Sequence, residues 1–94
     1  MDIARSHLVQ ATAGREEGKY FFVLETDGEY ALIADGKCRK IEAPKRKKYK
    51  HLRLMPQSSS RVAEKIRSNE KITNSELRKA IAAISEHGNP DQEG

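Results

Sequence analysis

The residues of this chain best suited to chemistry form a basic run between Lys37 and Arg53. Nine of these seventeen residues are Lys or Arg, and Glu42 is the only acidic one. Cations held this close together bind phosphate groups through charge attraction and, from arginine, through paired hydrogen bonds. The run therefore predicts a polyanionic partner.

The rest of the chain is not basic. Residues 1–36 carry three basic and seven acidic side chains, and residues 57–94 carry six of each. Residues 37–56 carry nine basic side chains and one acidic, so this segment alone makes the net charge of the chain positive, at +4. A solvated loop is the common structure of a lysine-rich segment, and Lys45–Lys48 also fits a weak nuclear-localisation pattern. The segregation of charge favours nucleic acid over both alternatives.

Other chemistry finds little support in the residue pattern. Gly14–Lys19 differs from a phosphate-binding P-loop, because three residues rather than four separate its glycines and Tyr20 stands where Ser or Thr is required. The histidines and the single cysteine, Cys38, lack the paired spacing of metal ligands, and no nucleophile has a positioned base. We therefore expect no enzyme activity, no metal and no cofactor.

The composition fits one small domain. The chain has 94 residues, 36% apolar and 34% charged, and one cysteine cannot form an internal disulfide. No apolar run is longer than that of Tyr20–Leu24, which is far shorter than the roughly 20 residues that cross a membrane. We expect a soluble cytoplasmic protein.

Turn residues divide the first 56 residues into short predicted strands. Asp27-Gly28 and Asp35-Gly36 each predict a two-residue hairpin turn, and Ala43–Lys48 is expected to be a loop. The five predicted strands are His7–Thr12, Tyr20–Thr26, Glu29–Ala34, Lys37–Glu42 and Tyr49–Met55. Short strands joined by tight turns predict a mainly β fold, a small five-stranded barrel over residues 1–56.

The first hairpin predicts two apolar faces. A turn at Asp27-Gly28 pairs Leu24 with Ala31 and Phe22 with Ile33. Phe22, Leu24, Ala31 and Ile33 then share one face, and Phe21, Val23, Leu32 and Ala34 share the other. A barrel buries only its inside, so the C-terminal third is expected to cover the second face.

That C-terminal third has the pattern of two short helices. Val62 and Ile66 lie four residues apart, and Thr73–Glu76 fits a capping box. Leu77, Ile81 and Ile84 follow at helical spacing, with Gly88 and Pro90 expected to end the helix. The prediction is a two-helix appendage at 57–88 and a flexible tail at 89–94.

The segment Ser6–Val23 resembles a KOW motif, in which a strand, a glycine-bearing loop and a second strand belong to an SH3-like barrel. Its Ala-Gly-Arg, its Gly-Lys and the following hydrophobic strand are similar to KOW-type large-subunit ribosomal proteins of archaea and eukaryotes. They are also similar to small KOW-domain RNA-binding proteins of Gram-positive bacteria, whose tail the C-terminal helices resemble. The resemblance covers residues 5–54.

The resemblance implies an SH3-like barrel of KOW type that binds RNA without catalysis, ribosomal RNA above all, in a ribosome-associated role in translation. It assigns Gly14, Arg15, Gly18 and Lys19 to the RNA surface. The basic run and its neighbouring tyrosines, as possible base-stacking groups, extend this set. They are Tyr20, Lys37, Arg39, Lys40, Lys45, Arg46, Lys47, Lys48, Tyr49, Lys50 and Arg53. The alternative is a protein-interaction module that binds a partner through the C-terminal helices.

Overall fold

The computed structural model describes residues 3–56 and 61–87, with side chains to residue 84. Its elements are β1 (Leu8–Ala11), β2 (Tyr20–Asp27), β3 (Tyr30–Ala34), β4 (Lys45–Lys48), a 3₁₀ helix (Tyr49–His51), β5 (Leu52–Leu54), α1 (Arg61–Arg67) and α2 (Asn74–His87). A mainly β fold with two C-terminal helices is confirmed. The predicted helix end at Gly88 and Pro90 and the tail at 89–94 lie outside the described residues.

The five strands form one antiparallel sheet in the order β4-β3-β2-β1-β5. Strand β2 pairs with β1 at Tyr20–Phe22 and with β3 at Phe22–Asp27, and a bulge at Leu24 interrupts the pairing with β3. In the described chain the edge strands β4 and β5 do not pair, so the sheet is not closed. Only the three-residue 3₁₀ helix separates these edges, so the sheet must curl to bring them near each other.

The prediction of a strand at Lys37–Glu42 and a loop at Ala43–Lys48 is wrong. The Asp35 side chain accepts hydrogen bonds from the backbone N–H groups of Lys37 and Arg39, at 2.9 and 2.8 Å. Because the Asp35 carboxylate binds these N–H groups, they are not available for hydrogen bonds to a neighbouring strand. The fourth strand forms instead at Lys45–Lys48, where β3 offers it a free edge.

The predicted register of the hairpin is also wrong, by one residue. Asp27 pairs with Tyr30, so the two turn residues are Gly28 and Glu29. Of these two only Gly28 has a positive φ, +62°, as in a type II′ turn. The predicted turn required Asp27 to adopt a positive φ, and the shifted turn transfers that requirement to glycine, which meets it without steric cost.

Two apolar clusters lie on opposite faces of the sheet, as predicted, although the β3 residues exchange faces. The inner cluster contains Ile3, Val9, Ala11, Phe21, Val23, Ala31, Ile33 and Leu52. The outer cluster joins Leu8, Phe22 and Ala34 of the sheet to Val62, Ile66 and Leu77 of the helices. The expectation that the helices cover the second face is therefore confirmed.

The capping box at the start of α2 is confirmed. The backbone N–H of Glu76 donates to the Thr73 hydroxyl at 3.1 Å, and the Thr73 N–H donates to Glu76 Oε1 at 2.9 Å. The other oxygen of Glu76 accepts a hydrogen bond from Lys65 Nζ at 2.6 Å, which ties α1 to α2. One carboxylate thus starts a helix and joins it to its neighbour.

We expect the protonation of Glu76 to lower the stability of the fold in acid. The hydrogen bond from Lys65, and then that from the Thr73 backbone, lower the pKa of Glu76 below its ordinary value. A lowered folded-state pKa stabilises the fold above the unfolded-state pKa, about 4.3, and this contribution is lost as pH falls through the folded value. We expect Glu76→Gln to melt at a temperature that depends less on pH below about 5.

Thermal unfolding followed by circular dichroism between pH 3 and 7 measures this effect. Glu64→Gln is the control, because Glu64 lies exposed on α1 and forms no ion pair among the described residues. Identical acid dependence in the wild type and in Glu76→Gln would contradict the prediction.

Candidate nucleic-acid interface

Strand alternation divides the basic residues of β4 between two faces. Lys45 and Lys47 lie opposite Ile33 and Ala31, so they share the inner side of the sheet. Arg46 and Lys48 lie opposite Leu32 and Tyr30, on the outer side. The string that reads as one basic block therefore serves two surfaces.

Lys47 connects β4 to the loop between β1 and β2, residues 12–19, which we name the glycine loop. Its Nζ atom donates to the carbonyl oxygen of Ala13 at 3.1 Å. It lies so close to Gly14 that a Cβ atom there would sit 3.4 Å from Nζ. The charge of the basic strand and the Gly-Arg…Gly-Lys loop thus meet at one point.

Backbone hydrogen bonds fix the glycine loop. The N–H of Gly18 donates to Ala11 O at 2.8 Å, and that of Lys19 donates to Glu16 O at 2.9 Å. Arg15 and Lys19 are exposed, and neither forms an ion pair within the residues described. These two cations are therefore held on a rigid turn and are available to a ligand.

Arg39 differs from them because its charge is already matched. Its Nε donates to Glu16 Oε2 at 2.5 Å, and the Glu16 side chain is only 10% exposed. The pair fastens the glycine loop to the loop of residues 35–43. Arg39, which was expected to bind RNA, is therefore already engaged in a structural ion pair.

The amino end of α2 holds the 35–43 loop. Asn74 Oδ1 accepts a hydrogen bond from Ile41 N at 2.8 Å, and Asn74 Nδ2 donates to Glu42 Oε1 at 2.9 Å, which lowers the pKa of Glu42. Arg78 Nη1 donates to Gly36 O at 3.0 Å. The loop therefore presents Lys37 and Lys40, both exposed, from a supported backbone.

A shallow pocket of about 290 Å³ lies where this loop meets α2. It is lined by Asp35, Lys37, Arg78, Ile81 and Ala82. Arg78 adds a cation next to Lys37 that the sequence reading missed. It lies 41 positions after Lys37, in a helix of mixed charge, so no local pattern could have assigned it to the basic region.

The 3₁₀ helix and β5 bring two further cations near the glycine loop. Thr12 N donates to His51 O at 2.9 Å, which places exposed Lys50 next to the loop. Arg53 of β5 pairs with Gln10, whose amide donates to Gly18 O at 3.1 Å. We name the resulting set the glycine-loop surface. It consists of Arg15, Lys19, Lys47, Lys50 and Arg53.

The structure separates the two tyrosines that were expected to stack on bases. Tyr20 packs against the outer cluster and Tyr49 against the inner one. The sequence reading missed Tyr30, whose ring lies 3.8 Å from Arg46 Cζ and 5.8 Å from Lys48 Nζ, measured to the ring centroid. Its position opposite the basic string depends on the strand at Lys45–Lys48, which was predicted as a loop.

No family model matches this chain, and no curated protein matches it. The resemblance to KOW proteins therefore depends on the residues quoted above. Within residues 3–56 and 61–87, no helix is long and apolar enough to cross a membrane. In the same ranges, no three His, Cys, Asp or Glu residues are grouped as ligands of a metal ion.

Proposed function

We propose that this chain is a non-catalytic RNA-binding protein of KOW type, which binds ribosomal RNA or the ribosome through the glycine-loop surface. The observation that carries the proposal is the hydrogen bond from Lys47 to Ala13 O, because it joins the basic strand to the loop with the KOW-like sequence. Five cations from four separate parts of the chain then lie on or next to one loop. Like charges gathered this way repel each other, and a bound phosphate backbone relieves that repulsion.

The strand arrangement supports the finer proposal of an SH3-like barrel. The last strand, β5, returns to pair with the first, and β2 pairs with both β1 and β3 and carries a bulge at Leu24. A three-residue connection links the two edges. These are the features by which a five-stranded sheet curls into a small barrel.

Phosphate contacts give affinity and orientation but do not read sequence. Selectivity must then come from the shape of the RNA or from unpaired bases, because side chains cannot read the deep, narrow major groove of an RNA duplex. A structured RNA with exposed loops, such as ribosomal RNA, offers both features.

The salt dependence of binding tests the proposal. Anisotropy of a labelled single-stranded RNA in 50–200 mM KCl measures the affinity, and five neutralised phosphates predict a slope of log K against log[salt] of about −3.5 to −4.5. A flat response would overturn the electrostatic account. Heparin at equal charge is the control, since binding heparin as tightly as RNA would indicate a general affinity for polyanions. Sedimentation of cell lysate with and without ribonuclease then tests whether the protein binds to the ribosome.

The alternative of a protein partner at the helices has less support. Val62, Ile66 and Leu77, at 6%, 4% and 0% exposure, already cover the outer face of the sheet. Helical stripes used in this way leave little apolar area for another protein. Charge reversal at Lys45–Lys48 that leaves the biological activity intact would favour this alternative.

A further inference from the structure

Tyr30 and Arg46 form an ordered pair on the outer side of β3 and β4. The guanidinium carbon lies 3.8 Å from the ring centroid, which is contact distance for a cation over an aromatic face. Asp27 holds the guanidinium from its edge, with Nη2 and Oδ2 3.2 Å apart. The ring and the carboxylate together fix where the guanidinium lies.

This pair is accessible. The Arg46 side chain is 54% exposed and the Tyr30 ring is half-buried. The helices pack at Phe22 and Ala34, and Ala34 lies about 13 Å along β3 from Tyr30 at the usual rise per residue. Among the residues that the structure describes, the outer side of the sheet thus has one end covered by helices and one end open.

Two ion pairs at the open end neutralise the arginines that form them. Asp27 offsets Arg46, and Arg5 lies 3.9 Å from Glu25 on the neighbouring part of β2. Arg46 is therefore a weak candidate for a phosphate contact, in contrast to the cations of the glycine-loop surface. The Arg46 guanidinium is planar and stacks on the Tyr30 ring, and unpaired bases stack on planar groups of this kind.

We propose that Tyr30 and Arg46 form a stacking platform for an unpaired nucleobase of the bound RNA. The inference rests on the proposed function and adds to it that the partner is single-stranded at this point. The base covers the exposed side of the guanidinium, in the order Tyr30, Arg46, base. Lys48 Nζ, 5.8 Å from the ring centroid, is close enough to meet a phosphate next to that base.

The experiment uses one RNA sequence in two forms, as a single strand and as a full duplex. In each form 2-aminopurine replaces the base at one position after another along the labelled strand. Stacking quenches 2-aminopurine fluorescence. We expect the wild type to quench at least one position of the single strand. Arg46→Lys keeps the charge but removes the plane, so it should abolish this quenching and weaken single-strand binding about tenfold, with the salt slope and duplex binding unchanged.

Two further variants separate stacking from folding. Tyr30→Phe keeps the ring and should retain the quenching, whereas Tyr30→Leu should lose it. If Arg46→Lys and Tyr30→Leu both leave single-strand binding and quenching unchanged, the stacking platform is overturned. Salt-dependent binding by the wild type would still uphold the proposed function in that case. A wild type that binds neither RNA overturns both.

Discussion

Replacement of Arg15, Lys19 and Lys50 by Gln is expected to weaken RNA binding about a hundredfold at 0.1 M salt. These three cations of the glycine-loop surface are exposed. Each phosphate that the protein no longer neutralises makes the slope of log K against log[salt] shallower by about 0.7–0.9, so the triple variant should have a slope about 2–3 units shallower. Anisotropy titrations of one RNA at four salt concentrations measure both quantities.

A matched variant controls for total charge. Arg61, Lys71 and Lys79 are also exposed, one arginine and two lysines, but they lie in the helical part of the chain. Their replacement by Gln changes the net charge by the same amount, and screening over about 10 Å at 0.1 M salt limits its reach. Equal losses in the two triple variants would mean that net charge, and not the glycine-loop surface, determines binding.

Gly36→Ala is expected to destabilise the fold by about 2–5 kcal/mol. Gly36 has a φ of +80°, and a Cβ atom there would lie 2.2 Å from Asn74 O and 3.0 Å from Leu77 Cβ. The 35–43 loop and α2 would have to separate, which breaks the hydrogen bonds of Asn74 and Arg78. Small domains are stable by only about 5–15 kcal/mol, so this loss is large.

Gly28→Ala separates the clash from the backbone strain. Gly28 also has a positive φ, but a Cβ atom there would meet nothing within 4 Å. It should cost only about 1–2 kcal/mol. Urea unfolding followed by circular dichroism gives both values, and equal losses in the two variants would show that α2 does not pack tightly on the 35–43 loop.

The features that the sequence predicted correctly have local signals. The unbroken apolar run of β2, the glycine next to Asp27 and the Thr73–Glu76 capping box each lie within a few residues. Their chemistry is complete at short range, because a cap needs only the backbone of its own helix. A strand–turn–strand unit, two helices and a second apolar face therefore followed from the residues alone.

Several of the features that were predicted wrongly, or not at all, depend on distant partners. Lysine-rich Lys45–Lys48 has low β propensity, and only the free edge of β3 makes it a strand. Glu16 and Arg39 lie 23 positions apart, and Asn74 contacts residues more than 30 positions away. The charge composition was therefore enough to predict the candidate site. Only the fold shows that the cations of β4 lie on two faces of the sheet and that Arg39 is held in an ion pair.

The position of β4 at the edge of the sheet has a consequence for self-association. An edge strand offers unpaired backbone groups to a second copy of the chain, and lysine is a common protection against such pairing. All four residues of β4 are Lys or Arg, so two copies that approach edge to edge repel each other. A polyanion that neutralises the charges of β4 without covering its backbone removes this protection. We therefore expect chains bound to a limiting amount of RNA to associate through β4. An excess of RNA over protein should keep the chains separate.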